Sequence, residues 1–203
     1  MDASDSAQAV KHQLRRGDAL LLVDVQNDFL PGGTLAVTQA QDVIPALQRY
    51  LDRFVEAAAP IFATRDWHPP DHCSFHAQGG PWPAHCIAGS RGADFPSSLH
   101  LPASAIVMSK GTDPASDAYS GFQGTSLHAD LQIAGVTRLF VGGLATDYCV
   151  LQTVKEALRL GYVAYLLVDA VQAVNVRPDD GTRAVESMVS AGAIPLRYGH
   201  WFA

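Results

Sequence analysis

The segment ALLLVDV (residues 19–25) is apolar at six of its seven positions. Seven residues is strand length, far short of the ~20 that a bilayer span requires. A run that is apolar on both faces belongs in a parallel sheet covered on both sides. The chain around it fits that reading. Residues 42–59 place Val43, Leu47, Tyr50, Leu51, Phe54 and Val55 at helical spacing, with Pro60 as the stop. Further strands are predicted at 61–64, 105–108, 138–141, 162–168 and 194–196. Helices are predicted at 126–134 before Gly135, at 147–160 before Gly161, and at 180–191. Strands alternating with helices predict a three-layer α/β/α architecture with a mainly parallel, Rossmann-like sheet. One such domain is expected over residues 17–203, after a polar extension at 1–16.

Composition narrows the function classes. The 203 residues carry 14 Lys plus Arg against 20 Asp plus Glu, a formal charge of −6, and 48% hydrophobic residues. That balance argues against nucleic acid or an anionic membrane as partner, and against disorder. The first eighteen residues are polar and hold no apolar signal core, so a cytoplasmic protein is expected. Three cysteines are too few for a disulfide framework. The eight histidines are unevenly spread: His68, His72, His76 and His85 crowd into one stretch.

In open α/β sheets the site lies beyond the carboxyl ends of the strands. There the sequence delivers Asp24, then Asp66 and His68, then Lys110, and finally Cys149 at a predicted helix start. A helix N-terminus stabilises a thiolate, so Cys149 is expected below the free thiol value of ~8.5. Taken alone, a single cysteine is more often a small buried hydrophobe. Beside Asp24 and Lys110 it becomes a nucleophile with a carboxylate and a cation to handle its proton. The segment 66–104 is too long for an ordinary connection, and its Trp67, Phe75, Trp82 and Ile87 favour an ordered loop.

Asp66 and His68 point to the same side of an extended segment. With His85 they make a three-ligand set with open positions for a divalent metal. His72 is a further ligand or a supporting partner, and His76 is less well placed. A closed structural zinc site using Cys73 or Cys86 is the alternative; a carboxylate ligand suits the open site better. Cys73 and Cys86 are read as packing residues.

Five stretches then carry a resemblance. VDVQNDF with PGGTLAV (residues 23–37), TRDWHPPDH (64–72), GPWPAHC (80–86), SKGTDPASDAYSGFQGT (109–125) and GLATDYCV (143–150) resemble the nicotinamidases, which belong to the isochorismatase-like cysteine hydrolases. The resemblance implies a catalytic triad of Asp24, Lys110 and Cys149. It implies one divalent ion on Asp66, His68 and His85, zinc first, with iron or manganese as alternatives. His72 matches a position that ligates metal in some members and not in others. A cis peptide between Leu144 and Ala145 is implied, with the Ala145 and Cys149 amides as oxyanion hole. Phe29, Leu35, Trp82 and Tyr119 match ring-binding positions. The implied reaction is hydrolysis of nicotinamide, and of pyrazinamide, to the acid and ammonia, as in NAD salvage. The expected partner is thus a small molecule, with a homo-oligomer left open. The rivals are a hydrolase of another small amide and a non-enzymatic ligand-binding module on the same fold.

Overall fold

The computed structural model describes residues 13–201, so the first twelve residues of the polar extension lie outside the described residues. Six strands form one sheet: β1 (Asp18–Val23), β2 (Ile61–Asp66), β3 (Ile106–Lys110), β4 (Arg138–Leu144), β5 (Val163–Gln172) and β6 (Ile194–Leu196). Their order is β3-β2-β1-β4-β5-β6, with every pairing parallel. Direction of winding reverses between β1 and β4, where such sheets open a crevice at their carboxyl edge.

The opening segment behaves as its pattern demands. Leu20 and Leu22 face one layer, packed with Leu47, Tyr50 and Phe54 of α1 (Val43–Glu56). Ala19, Leu21 and Val23 face the other, with Leu131 of α2 (Leu127–Ile133) and Val154 of α3 (Leu151–Arg159). Each fully buried leucine stabilises by about 1.5–3 kcal/mol over exposure. β1 is therefore fixed from both faces. At its amino end Arg138 pairs through two nitrogens with the buried Asp18 carboxylate.

The boundaries differ from expectation in physically legible ways. α1 ends at Glu56, three residues early, because Ala58 turns left-handed (φ 50°). The Ala58 and Ala59 amides then donate to the Val55 and Phe54 carbonyls, closing the end as a Schellman cap. The predicted helix at 147–160 begins as a π-helical turn (Thr146–Val150) before α3. β5 runs on to Gln172, and β4 to Leu144. The helix expected at 180–191 is α4 (Asp180–Ser190), and a last turn, α5 (Tyr198–Trp201), was not expected. The long segment between β2 and β3 is ordered, with His68 bridging Ile87 and Phe75 bridging Trp82. No described helix is long and apolar enough to cross a membrane.

Candidate active site

Four strand ends meet at the crevice. After Val23 the chain leaves β1 at Asp24, which sits in the left-handed region (φ 49°) and whose amide donates to the Thr64 carbonyl at 3.1 Å. Its carboxylate is fully buried; Oδ1 accepts from Thr64 Oγ1 at 2.6 Å. Lys110 ends β3, and its Nζ lies 2.9 Å from Asp24 Oδ2, 2.5 Å from Asp66 Oδ1 and 3.5 Å from Cys149 Sγ. The Ala118 carbonyl, at 2.9 Å, completes its surroundings. Oxygens of Asp24 and Asp66 and the Cys149 sulfur all lie within 4.8 Å of one another.

Cys149 arrives there through an unusual stretch of backbone. Gly143 adopts φ 126°, and a Cβ on it would fall 2.1 Å from the Val23 carbonyl oxygen, so only glycine lets β4 lie this close to β1. The next peptide, Leu144–Ala145, is cis, as the resemblance implied. The π-helical turn then places Cys149 against the same pocket that Ala145 lines.

Burial dominates the electrostatics. It pushes the Asp24 carboxyl up against the pull of Lys110, and a raised carboxylate is a stronger base. Burial also opposes charge on Asp66, but Lys110, His68 and His85 outweigh it and hold that carboxyl below its ordinary value. Lys110, despite burial, is held well above the usual ammonium range by the two carboxylates. The Cys149 thiol is pushed well up, first by burial and then by Asp24 and Asp66, with Lys110 opposing. This reverses the expected lowering: burial beside two carboxylates outweighs one ammonium and a helix start.

The metal-ligand candidates converge. One donor atom from each of Asp66, His68 and His85 lies within 4.8 Å of the others, and all three residues are buried. His68 Nδ1 is engaged by the Gly111 carbonyl at 2.8 Å and His85 Nδ1 by the Pro83 carbonyl at 2.8 Å. That leaves both Nε2 atoms for a shared ion, the outer-shell arrangement that metal-binding histidines favour. Burial lowers the His68 pKa and so keeps the neutral form that ligates. The donor set fits a divalent ion of the zinc, iron or manganese kind. His72 stacks on His68 at 4.0 Å, but its own nitrogens are taken by Ser74 Oγ and the Ser116 carbonyl. His76 lies apart, engaging the Gly80 carbonyl. All three cysteines are free thiols.

Sequence reasoning passed over Gln26. Its buried amide accepts from the Asp66 N–H at 2.8 Å and donates to the Asp66 and Ala93 carbonyls at 2.8 and 2.9 Å, clamping the backbone of a candidate ligand. A cavity of about 50 Å³ opens beside these groups. Phe29, Leu35, Trp82 and Tyr119 line it, together with Val37, Leu144, Tyr148 and Val174. One water needs roughly 10–15 Å³, so the space suits one small ring rather than a nucleotide. Trp82 Nε1 donates to Tyr119 Oη at 3.0 Å, and Trp82 meets Tyr148 edge-on, which closes one wall in aromatic rings. A larger groove of about 450 Å³ beside α4, near Arg177 and Arg183, shares Tyr148 with this pocket but carries none of the reacting groups.

The sequence pattern of the isochorismatase domain matches residues 18–197. The chain belongs to the isochorismatase-domain family. Within that family it is 39% identical to a nicotinamidase of Escherichia coli K12, over 90% of this chain and 96% of the relative. The structure of a pyrazinamidase of Pyrococcus horikoshii in complex with zinc superposes with a TM-score of 0.86 at 45% identity, covering 89% of this chain and 99% of the other. PnC1 from L. infantum, in complex with nicotinate, superposes with a TM-score of 0.85 at 33% identity, covering 94% and 97%. The isochorismatase-domain fold and the arrangement at its carboxyl edge thus come together in one chain.

Proposed function

We propose that this protein is a metal-dependent cysteine amidohydrolase that converts nicotinamide to nicotinate and ammonia and accepts pyrazinamide by the same chemistry. The observation that carries the reading is the convergence of Cys149, Lys110 and Asp24 with Asp66, His68 and His85 on one ring-sized cavity. The nicotinamidase and pyrazinamidase relatives, one bound to zinc and another to nicotinate, support it. Asp66, His68 and His85 would hold the divalent ion, zinc in this reading, which would supply Lewis-acid chemistry beside the ring pocket. Phe29, Leu35, Trp82 and Tyr119 sandwich the ring and turn the carboxamide toward Cys149.

The chain's own groups then divide the chemistry. Asp24, made more basic by burial, takes the thiol proton while Cys149 Sγ bonds to the carboxamide carbon. Lys110 offsets the negative charge gathered between the two carboxylates and the sulfur. The oxyanion accepts hydrogen bonds from the Ala145 and Cys149 amides. Asp24 returns its proton to the leaving nitrogen, ammonia departs, and a thioester remains. Asp24 next deprotonates a water that attacks the thioester carbonyl; nicotinate leaves and the thiol is regenerated. Splitting the reaction through a covalent intermediate makes a stable amide tractable at neutral pH.

The test is ammonia release from nicotinamide before and after chelation, with far-UV circular dichroism alongside. Activity is expected to vanish on chelation and return with zinc while the spectrum stays unchanged. Unfolding on chelation would instead assign the ion a structural role, and absence of ammonia release in zinc-loaded protein would reject the substrate.

A further inference from the structure

Asp28 takes no part in the triad or the ligand set, yet its side chain is buried against the backbone of Cys86, next to the candidate ligand His85. It sits in the short turn Asn27–Phe29 and is 9% exposed. Its Oδ2 accepts the Cys86 N–H at 2.7 Å, and Oδ1 accepts the Thr34 N–H at 3.3 Å. Cys86 directly follows the ligand His85 and holds φ 46°, a left-handed conformation that costs a non-glycine residue on the order of 1–2 kcal/mol. Such a conformation persists only where its surroundings impose it. The other side of Cys86 is fixed as well: its carbonyl accepts the His68 N–H at 3.0 Å. Two of the three candidate ligands are therefore tied to one residue, His85 by the chain and His68 by a hydrogen bond. That residue's amide ends on Asp28.

Gly92 shows how closely the carboxylate is seated. A Cβ at that position would fall 2.1 Å from Asp28 Oδ2 and 2.3 Å from its Cγ. The turn Arg91–Ala93 can therefore lie over Asp28 only with glycine in place. Phe29, next along the chain, places its ring 5.7 Å from that of His85. The same short turn thus sets both a wall of the ring pocket and the loop that carries a ligand.

We propose that Asp28 is a positioning residue for the metal centre, aiming His85 and His68 through its hydrogen bond to the Cys86 amide. This rests on the assignment of Asp66, His68 and His85 as metal ligands. Outer-shell partners of this kind are worth roughly 10–100-fold in metal affinity.

The experiment measures zinc affinity of the full chain by competition with a chromophoric chelator, so turnover is not needed. Asp28→Ala is expected to weaken zinc binding by roughly 10–100-fold. Asp28→Asn keeps an acceptor for the Cys86 amide and is expected to stay within about threefold of wild type. Gly92→Ala leaves every polar group in place but crowds the carboxylate off its amide, so it should fall with Asp28→Ala. At saturating zinc, kcat of Asp28→Ala should recover toward wild type. A folded Asp28→Ala with wild-type zinc affinity overturns the proposal, as do equal losses in Asp28→Ala and Asp28→Asn. If Asp28→Ala fails to fold, Gly92→Ala decides, and unchanged affinity there overturns it. Wild-type protein that binds no zinc would instead remove the ligand assignment itself and the role of Asp28 with it.

Discussion

Asp66 and Lys110 are register partners on the adjacent parallel strands β2 and β3, and their side chains meet as an ion pair at 2.5 Å. The cation beside the nucleophile and a carboxylate of the metal set are thus a single cross-strand pair. Lys110→Met leaves Asp24 and Asp66 buried without their shared counter-ion. Breaking a buried pair in this way costs about 3–5 kcal/mol. A lower melting temperature is expected together with a fall in kcat of roughly a hundredfold or more. A variant that melts like wild type would contradict the coupling.

Cys149→Ala should lose ammonia release by more than about a thousandfold, since no other thiol reaches the pocket and the triad acts as a unit. Binding of nicotinate, measured by calorimetry, should survive, because the ring walls and the ligand set are untouched. Substantial residual turnover would take the nucleophile's role away from Cys149.

Tyr119 makes a prediction at alkaline pH. Burial pushes its phenol up to about 12, whereas an unfolded tyrosine ionises near 10. Between those values the folded state holds the proton that the unfolded state has lost. The contribution of Tyr119 to stability is therefore complete below about pH 10 and declines as pH rises toward 12. The phenolate absorbance of wild type minus that of Tyr119→Phe should show its step near 12. A step near 10 would place the hydroxyl in solvent.

At the opposite end of the sheet, Arg138→Met strands the buried Asp18 carboxylate. A loss of about 3 kcal/mol or more is expected, seen as a melting temperature lower by roughly 10 °C. Turnover per folded molecule should not change, since the pair lies at the amino ends of β1 and β4, away from the crevice. A loss of kcat without loss of stability would show that this end of the sheet reaches the site.

Much of this was legible in the chain because it depends on local pattern. ALLLVDV declares a doubly covered strand, and the residues ending β1, β2 and β3 fall at one edge once a parallel sheet is accepted. What escaped was contact between distant segments. Gln26 lies within a recognisable motif, yet its partners Asp66 and Ala93 are 40 and 67 residues away, and no spacing rule links them. Tyr148 and Val174 reach the pocket only because the turn after β4 and the loop after β5 fold toward each other. The thiol of Cys149 departs from expectation for a related reason: sequence shows a helix start, but not the burial and the two carboxylates that surround it. The terminal turn at α5, four residues long, has no periodicity to detect.

The parallel ladder described above acts as a ruler for the chemistry. Strands stand about 4.8 Å apart, and the groups on β2 and β3 inherit their separation from that spacing rather than from any loop. Lengthening the segment between β2 and β3 leaves the ruler untouched, because pairing begins afresh at Phe62 with Ile106. One residue inserted inside β3 ahead of Lys110 turns its side chain to the other face of the sheet. A change of loop length thus leaves the Asp66–Lys110 pair standing where a change of one residue inside a strand is fatal to it, while the stretch from His68 to Cys86 is bound instead by the geometry of the ligand set it carries.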